Sequence, residues 1–125
     1  MNGLLWTLQV LLGAYFVGVG IFHFTLPEGL PEAMSWMYDL SPTVHALAGT
    51  AEILGGLGLV LPSVTRIRPE LSVAAAVGLG VVMVLAAGWH LTRGEYPQIL
   101  LNLIDLGLLA FVAYGRARLR PIPAR

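Results

Sequence analysis

The sequence contains no cysteine and few charged residues. The absence of cysteine excludes disulfides, thiol redox chemistry and metal sites built from thiolates. Only 11% of the 125 residues are charged, against about 25% in soluble domains. Seven arginines balance seven acidic residues, and there is no lysine. This neutral balance argues against a basic surface for nucleic acid, so we expect no nucleic-acid partner.

Hydrophobic residues make up 57% of the chain and fall into four long blocks. A soluble fold of this length could not bury so much apolar surface, whereas about 20 residues of helix cross a bilayer. The blocks predict an all-α integral membrane protein, a single domain that folds as a four-helix transmembrane bundle. The predicted spans are residues 4–26, 43–61, 70–91 and 98–114. Because no charged leader or cleavage site precedes Leu26, we expect the first span to be retained.

The segments between the spans contain most of the helix-breaking residues. Pro27, Gly29 and Pro31 end the first span. Residues 32–40 fit either a short helix at the headgroup level or a plain surface loop. Ser41 and Pro42 are typical of a helix start, and Pro62 predicts the end of the second span. Residues 115–125 form an arginine-rich tail that we expect to be mostly irregular.

The distribution of arginine predicts the orientation in the membrane. Only Arg93 lies on one side of a four-span arrangement, together with four acidic residues. The other six arginines lie on the opposite side: Arg66, Arg68, Arg116, Arg118, Arg120 and Arg125. Because positive residues stay on the cytoplasmic side, both termini are expected there, in a multi-pass protein of a bacterial-type inner membrane.

Polar and small residues share faces within the spans. The stripes, at spacings of four and three residues, are Gln9, Gly13, Phe16, Gly20 and His23 in the first span, His45, Gly49, Glu52 and Gly56 in the second, and Gln98, Asn102 and Asp105 in the fourth. Such faces suit contact with other helices better than contact with lipid. At about 1.5 Å per residue, His23, His45, His90 and Asn102 fall near the outer side, and Glu52 and Asp105 fall near the middle of the membrane. The sequence therefore predicts one polar pocket, open or nearly open to the outer side.

Glu52 and Asp105 are the acidic residues near the middle of the membrane. A carboxylate there is costly unless something compensates for its charge, so we expect that both are not ionised at once. In the functional interpretation they share a proton or relay it to the histidines, with Glu52 and His23 as the catalytic pair. In the structural interpretation they are protonated and hydrogen-bond between helices. For Asp105 both interpretations stay open.

Histidines lie near the outer ends of three spans. His23 and His90 have the chemistry to ligate a metal, bind haem or carry protons. No tight spacing such as H-E-x-x-H is present, so we predict no metal site. The alternative is that both donate hydrogen bonds to loop carbonyls. His45 lies close to a helix start and is expected to contact water.

Trp89 precedes His90, and Phe16 and Met83 are expected nearby. Together they would line a pocket for a flat apolar ligand such as a quinone. The alternative is ordinary packing and an aromatic belt with Tyr96, because Trp and Tyr gather at membrane interfaces.

The second span carries a motif that resembles the DoxX-like family. The motif is Gly49–Thr50–Ala51–Glu52, then Gly55 and the run Gly58–Leu59–Val60–Leu61–Pro62. His23–Phe24 with Pro27, Thr65–Arg66 and Asn102 are similar to that family too, and the likeness runs from about Leu5 to Tyr114. It implies a small four-helix membrane protein with His23, Glu52 and Asn102 as site residues. One founding relative is a subunit of a thiosulfate:quinone oxidoreductase, whereas most members have no assigned activity.

Three functions fit these patterns. In the first, the protein is a redox-associated accessory that holds a quinone-like or other small apolar ligand. The ligand-binding candidates are then His90, Asn102, Asp105, Trp89 and Phe16. In the second, it is a non-catalytic subunit or assembly factor whose polar residues are interhelical contacts. In the third, it is a small-solute or proton pathway, as an oligomer. The expected partners are the lipid bilayer, a small apolar ligand, and a membrane redox complex or a second copy. Whether it is an enzyme stays open.

Overall fold

The computed structural model describes all 125 residues and contains only helices. The long helices are α1 (Asn2–Thr25), α2 (Pro42–Thr65), α3 (Leu71–Thr92) and α4 (Tyr96–Tyr114). A 3₁₀ helix (Glu32–Asp39) connects α1 to α2, and a π-helical turn (Gly115–Leu119) extends α4. All four long helices are long and apolar enough to cross a membrane. The predicted all-α architecture of four transmembrane helices is confirmed.

The helices pack in chain order, α1 on α2, α2 on α3 and α3 on α4, with a smaller contact between α4 and α1. The core between them consists of Leu12, Phe16, Leu59, Ala76, Leu79, Met83, Leu109 and Val112. Many large apolar side chains point outward instead, among them Leu47 and Leu85, each 68% exposed. A surface of this kind is stable against acyl chains rather than water.

Paired glycines bring α1 and α2 into backbone contact. A Cβ atom added to Gly13 would lie 2.9 Å from the carbonyl oxygen of Gly56. One added to Gly20 would lie 2.9 Å from the carbonyl oxygen of Gly49. Any larger side chain would push the helices apart, so the small faces predicted from the four-residue spacing form this interface.

Helix α2 does not end at Pro62, contrary to the sequence prediction. Proline removes one backbone N–H and pushes against the preceding turn, which ends most helices in water. The missing N–H would have donated to the Gly58 carbonyl oxygen, and the next carbonyl oxygen, that of Leu59, accepts from the Gln9 amide of α1 at 2.6 Å. Membrane helices tolerate a proline within the span, and α2 runs on to Thr65. Its start is as predicted, with Ser41 accepting a hydrogen bond from the Val44 N–H at 3.2 Å.

The segment after α1 is helical rather than a plain loop. Its 3₁₀ helix folds over the end of the bundle and buries Met37 completely. We call this end, where His23, His45 and His90 lie, the histidine end. The opposite end holds both termini and six arginines, and we call it the arginine end. There the first part of the predicted irregular tail continues α4, and only residues 120–125 are irregular.

Candidate functional site

A cavity of about 400 Å³ lies at the histidine end, between α2, α3 and the 3₁₀ helix, with His23 of α1 at its edge. Its polar lining is His23, Glu52 and His90, and its aromatic lining is Trp36 and Trp89. The remaining walls are apolar: Leu40, Val44, Leu47, Ala48, Ala51, Val82, Leu85 and Ala86. A mostly apolar cavity with a few converging polar groups is the usual form of a small-molecule site.

Glu52 and two histidines form a buried chain at the edge of this cavity. The His23 Nε2 atom lies 3.3 Å from Glu52 Oε2, within ion-pair reach, although that oxygen has no hydrogen-bond partner. The other ring nitrogen of His23, Nδ1, lies 2.9 Å from Nδ1 of His45 and forms a hydrogen bond with it. The far nitrogen of His45, Nε2, is buried and unpartnered. Glu52, His23 and His45 therefore form a row of three titratable groups, each within reach of the next.

This line can exist in two states that differ by one proton. In the first, protonated Glu52 faces an unprotonated His23 Nε2, and His23 donates from Nδ1 to His45. In the second, ionised Glu52 faces an N–H of His23, and His45 donates from Nδ1 to His23. In the first state His45 accepts at Nδ1 and carries its proton on Nε2. In the second state His45 Nε2 carries no proton. A proton that enters at Glu52 thus has a path to His45 Nε2.

Trp36 of the 3₁₀ helix closes the cavity from the end of the bundle. Its ring lies edge-on to His90, with 4.9 Å between ring centroids, and 6.2 Å from the ring of Trp89. The His23 ring lies 6.4 Å away. These spacings are those of interacting aromatic pairs, so one side chain joins α1, α3 and the 3₁₀ helix.

A charged clasp holds the 3₁₀ helix in place. Arg93, in the turn between α3 and α4, pairs with Asp39 of the 3₁₀ helix and with Glu95 at 2.8 Å. Glu95 also accepts from His90 Nδ1 at 3.0 Å. The Arg93 hydrogen bond, helped by that of His90, lowers the pKa of Glu95 below its ordinary value. The clasp is thus strongest while Glu95 is ionised.

The cavity opens sideways, between α2 and α3. The lining residues Leu47 and Leu85 lie on the outer surfaces of these helices and are largely exposed. Trp36 and Leu40 cover the outer side, to which the sequence predicted a pocket open or nearly open. The 3₁₀ helix that carries Trp36 accounts for this difference, since residues 32–40 would leave the end open if they formed a loose loop.

The structure separates the predicted site residues into two groups. His23, Glu52, Trp89 and His90 line the cavity. Three others lie outside its lining: Asn102, Asp105 and Phe16.

The three residues outside the lining have distinct surroundings. Asn102 donates to the sulfur of Met83 at 3.6 Å, and its carbonyl oxygen is buried without a partner. Asp105 is 5% exposed, and its Oδ2 is buried without a hydrogen-bond partner. Phe16 belongs to the apolar core.

Two residues of the site escaped the sequence prediction. His45 is buried against His23 rather than in contact with water, because the 3₁₀ helix folds over the start of α2. Trp36 belongs to residues 32–40, which were expected either at the headgroup level or in a surface loop, but it lines the cavity. The stripe that places His45 on the face of Glu52 was a usable signal for the first. No local signal pointed to the second.

No three His, Asp or Glu side chains converge closely enough to hold a metal ion. Comparison with curated proteins and with solved structures gives no match. The model of the DoxX-like family matches residues 7–112, which is most of the chain and includes every cavity residue. The protein therefore belongs to the DoxX-like family of membrane proteins.

Proposed function

We propose that the protein binds a flat, lipid-soluble ligand of the quinone class in the cavity at the histidine end and exchanges protons with it. The observation that carries this proposal is the buried line of Glu52, His23 and His45 at the edge of an aromatic, apolar cavity. The protein would act as an accessory to a membrane redox system, with electrons supplied by a partner protein.

The chemistry of the cavity supports a ligand of this class. Its apolar walls and the rings of Trp36 and Trp89 suit a flat ring, and Glu52 can donate to or accept from a ligand oxygen. The opening between α2 and α3 favours a ligand that arrives from the lipid, because the residues at its rim are apolar. A water-soluble ligand would have to pass the 3₁₀ helix and its clasp.

Proton supply is the task that the buried line can perform. A bound quinone would supply redox chemistry in which electrons and protons are taken up together. Glu52 is the lining residue placed to give a proton to such a ligand, and His23 and His45 can replace it. Asn102 and Asp105 lie outside the cavity lining and would not touch the ligand.

Binding can be tested by the emission of Trp36 and Trp89, which line the cavity. In a Trp6→Phe background, we expect a decyl-substituted benzoquinone to quench this emission with a saturable dependence. An Ala86→Phe variant fills the cavity and should weaken quenching at least tenfold. Ala87→Phe is the matched control, since the neighbouring Ala87 lies outside the lining. Absence of saturable quenching in the parent protein would refute the proposal.

Proton exchange needs a separate variant. Glu52→Gln keeps the shape of the side chain but cannot titrate. We expect binding within about threefold of the parent and a rate of proton uptake about a hundredfold lower when the bound quinone is reduced electrochemically. A pH-indicator dye in weak buffer measures this rate. An unchanged rate would remove Glu52 from proton transfer.

The non-catalytic subunit or assembly factor remains the second candidate function. Gly18, Gly78, Gly88 and Gly107 have no heavy atom within 4 Å of an added Cβ, so the chain itself does not use these small positions for close packing. A partner helix could approach there. This function predicts that quinone fails to quench and that the protein leaves the membrane in a larger complex under mild detergent.

We also propose that both termini face the cytoplasm of a bacterial-type inner membrane. The arginine end carries six of seven arginines, and the single arginine of the histidine end is paired with two acids. Because the chain has no cysteine, single Ser35→Cys and Ala124→Cys variants report on each end. An impermeant maleimide on intact cells should label only the first. The reverse pattern would invert the proposed orientation.

A further inference from the structure

Arg116, at the arginine end, is a buried cation held only by neutral groups. It is 4% exposed and lies in the π turn after α4. Its Nε donates to Gln9 Oε1 at 2.6 Å, and its Nη1 donates to Asn2 Oδ1 at 2.7 Å and to the Arg120 carbonyl oxygen at 3.1 Å. The guanidinium also lies over the Trp6 ring, 5.1 Å from its centroid. The last nitrogen, Nη2, is buried and has no partner.

No carboxylate forms a salt bridge with Arg116. Glu70 is the one acidic side chain of the arginine end, and it lines a neighbouring cavity with Arg116, but its carboxylate pairs with Arg68 at 3.1 Å. Arginine stays protonated in proteins, so Arg116 cannot relieve the cost by losing a proton. A buried cation with unused donors and no counter-charge is the expected state of a site that takes an anion from outside the chain.

A cavity of about 690 Å³ lies against Arg116, between the start of α1, the end of α2 and the C-terminal segment. Arg66 and Arg120 line it together with Arg116, and no acidic side chain does. The C-terminal segment covers the cavity and is held through Arg66, whose Nε donates to the Pro123 carbonyl oxygen at 3.0 Å. The N–H of Arg125 returns a hydrogen bond to the Arg66 carbonyl oxygen at 3.1 Å.

We propose that this cavity binds a phosphate-class oxyanion, either the headgroup of an anionic lipid or a free phosphate. Three guanidinium groups without a carboxylate match the charge and the planar donor geometry that phosphate oxygens accept. Arg116 is the buried member of the site, and its unpartnered Nη2 leaves donors free for an anion. Arg66 and Arg120 line the same cavity nearer the surface. Loss of the hydrogen bond from Arg66 to Pro123 would let residues 121–123 move aside for entry. The site lies at the opposite end of the bundle from the quinone cavity and does not depend on it.

The test compares anion binding by the full chain and by variants matched in charge. In detergent, sodium phosphate should raise the unfolding temperature more than sodium chloride of equal ionic strength, or phosphatidylglycerol should be retained over phosphatidylcholine in native mass spectrometry. Arg66→Gln and Arg120→Gln should each weaken the phosphate or lipid effect about tenfold, equivalent to one charge-assisted hydrogen bond. Arg118→Gln removes an equal charge from the same tail at a position outside the cavity and should leave the effect intact.

The outcomes separate the two sources and the failure of the proposal. A response to free phosphate identifies a soluble anion, and a response to phosphatidylglycerol alone identifies a lipid headgroup. Arg116→Gln should remove either response if the variant folds. If it does not fold, the responses of Arg66→Gln and Arg120→Gln test the proposal. The proposal is overturned if neither probe exceeds its control, or if Arg118→Gln weakens the response as much as Arg66→Gln and Arg120→Gln.

Discussion

The two ends of the bundle bury polar groups in opposite ways. At the histidine end, Glu52, His23 and His45 are all groups whose charge disappears when a proton moves. At the arginine end, the buried group is Arg116, whose charge is permanent. The same apolar surroundings thus contain an adjustable charge at one end and a fixed charge at the other. The first suits proton chemistry on a neutral ligand, and the second suits attachment of an anion.

The segments that cover the two ends also differ, since one is a folded helix and the other is irregular. The histidine end is closed by a folded 3₁₀ helix and an ion-paired clasp, which exclude water from the line of titratable groups. The arginine end is covered by an irregular segment held by a few hydrogen bonds to arginine. A site that moves protons gains from exclusion of water, since the path is then fixed by the protein. A site for a charged ligand needs a cover that opens.

The largest expected effect comes from removal of the fixed charge. Arg116→Met leaves the buried oxygen of Gln9 without its donor and also removes the hydrogen bond to the exposed Asn2. A buried unpaired acceptor costs about 1–3 kcal/mol. We expect a loss of about 3 kcal/mol in the free energy of unfolding, measured by thermal or chemical unfolding in detergent. Glu52→Gln, at the other end, should lose less than about 1 kcal/mol because an amide can still hydrogen-bond.

The matched control for Arg116 is Arg118, which is exposed in the same turn. Arg118→Met should change stability by less than about 0.5 kcal/mol, as surface substitutions do. Equal losses in the two variants would mean that net charge of the tail, rather than the buried network, sets stability. The buried charge of Arg116 would then have no special role in the stability of the arginine end.

A middle-sized effect is expected from the aromatic cover of the cavity. Trp36→Ala removes the ring that contacts His23, Trp89 and His90, and we expect a loss of about 2 kcal/mol because the ring is only partly buried. Quinone affinity, measured by quenching of Trp89, should fall about tenfold. Trp6→Ala at the arginine end should leave this affinity unchanged. A loss of affinity in both variants would indicate general loosening of the bundle.

The smallest expected effect is a pH dependence of the clasp. The pKa of Glu95 is lower in the folded protein than its ordinary value of 4.5, chiefly because Arg93 donates to it. The folded state therefore binds fewer protons, and the stabilisation is complete above pH 4.5 and lost as the pH falls through the lower folded value. We expect the unfolding temperature to decline below pH 4.5, with a shallower decline in Glu95→Gln. An identical decline in both proteins would assign it to other carboxylates.

Much of the fold follows from local sequence. The number and approximate position of the spans are set by the length of apolar runs, which lipid requires of any helix that crosses it. The glycine stripes of α1 and α2 predicted the face that these helices share, because only small residues allow backbones to touch. The predicted end of α2 at Pro62 was wrong, because a proline that ends most helices in water is tolerated within a membrane helix.

The candidate site was less predictable than the fold. Residue type and depth indicated Glu52, His23, Trp89 and His90, because buried polar groups in a membrane are costly and conspicuous. The contact of His45 with His23 and the position of Trp36 over the cavity depend on how residues 32–40 fold back. That segment has no transmembrane pattern, so its sequence permitted two structures equally well. Orientation in the membrane stays a prediction.

The sequence by itself determined that this protein is a four-helix membrane bundle, because apolar length and small-residue spacing act within each helix. It also indicated the burial of Glu52, Asp105, His23 and His90, but not that of His45 or Arg116. Only the tertiary structure decided their partners, since hydrogen bonds such as those of His23 and Arg116 join helices whose relative rotation no single segment specifies. The physical reason is that a helix forms through interactions between residues close together in sequence. The partners of a buried charge come from residues far apart in the chain.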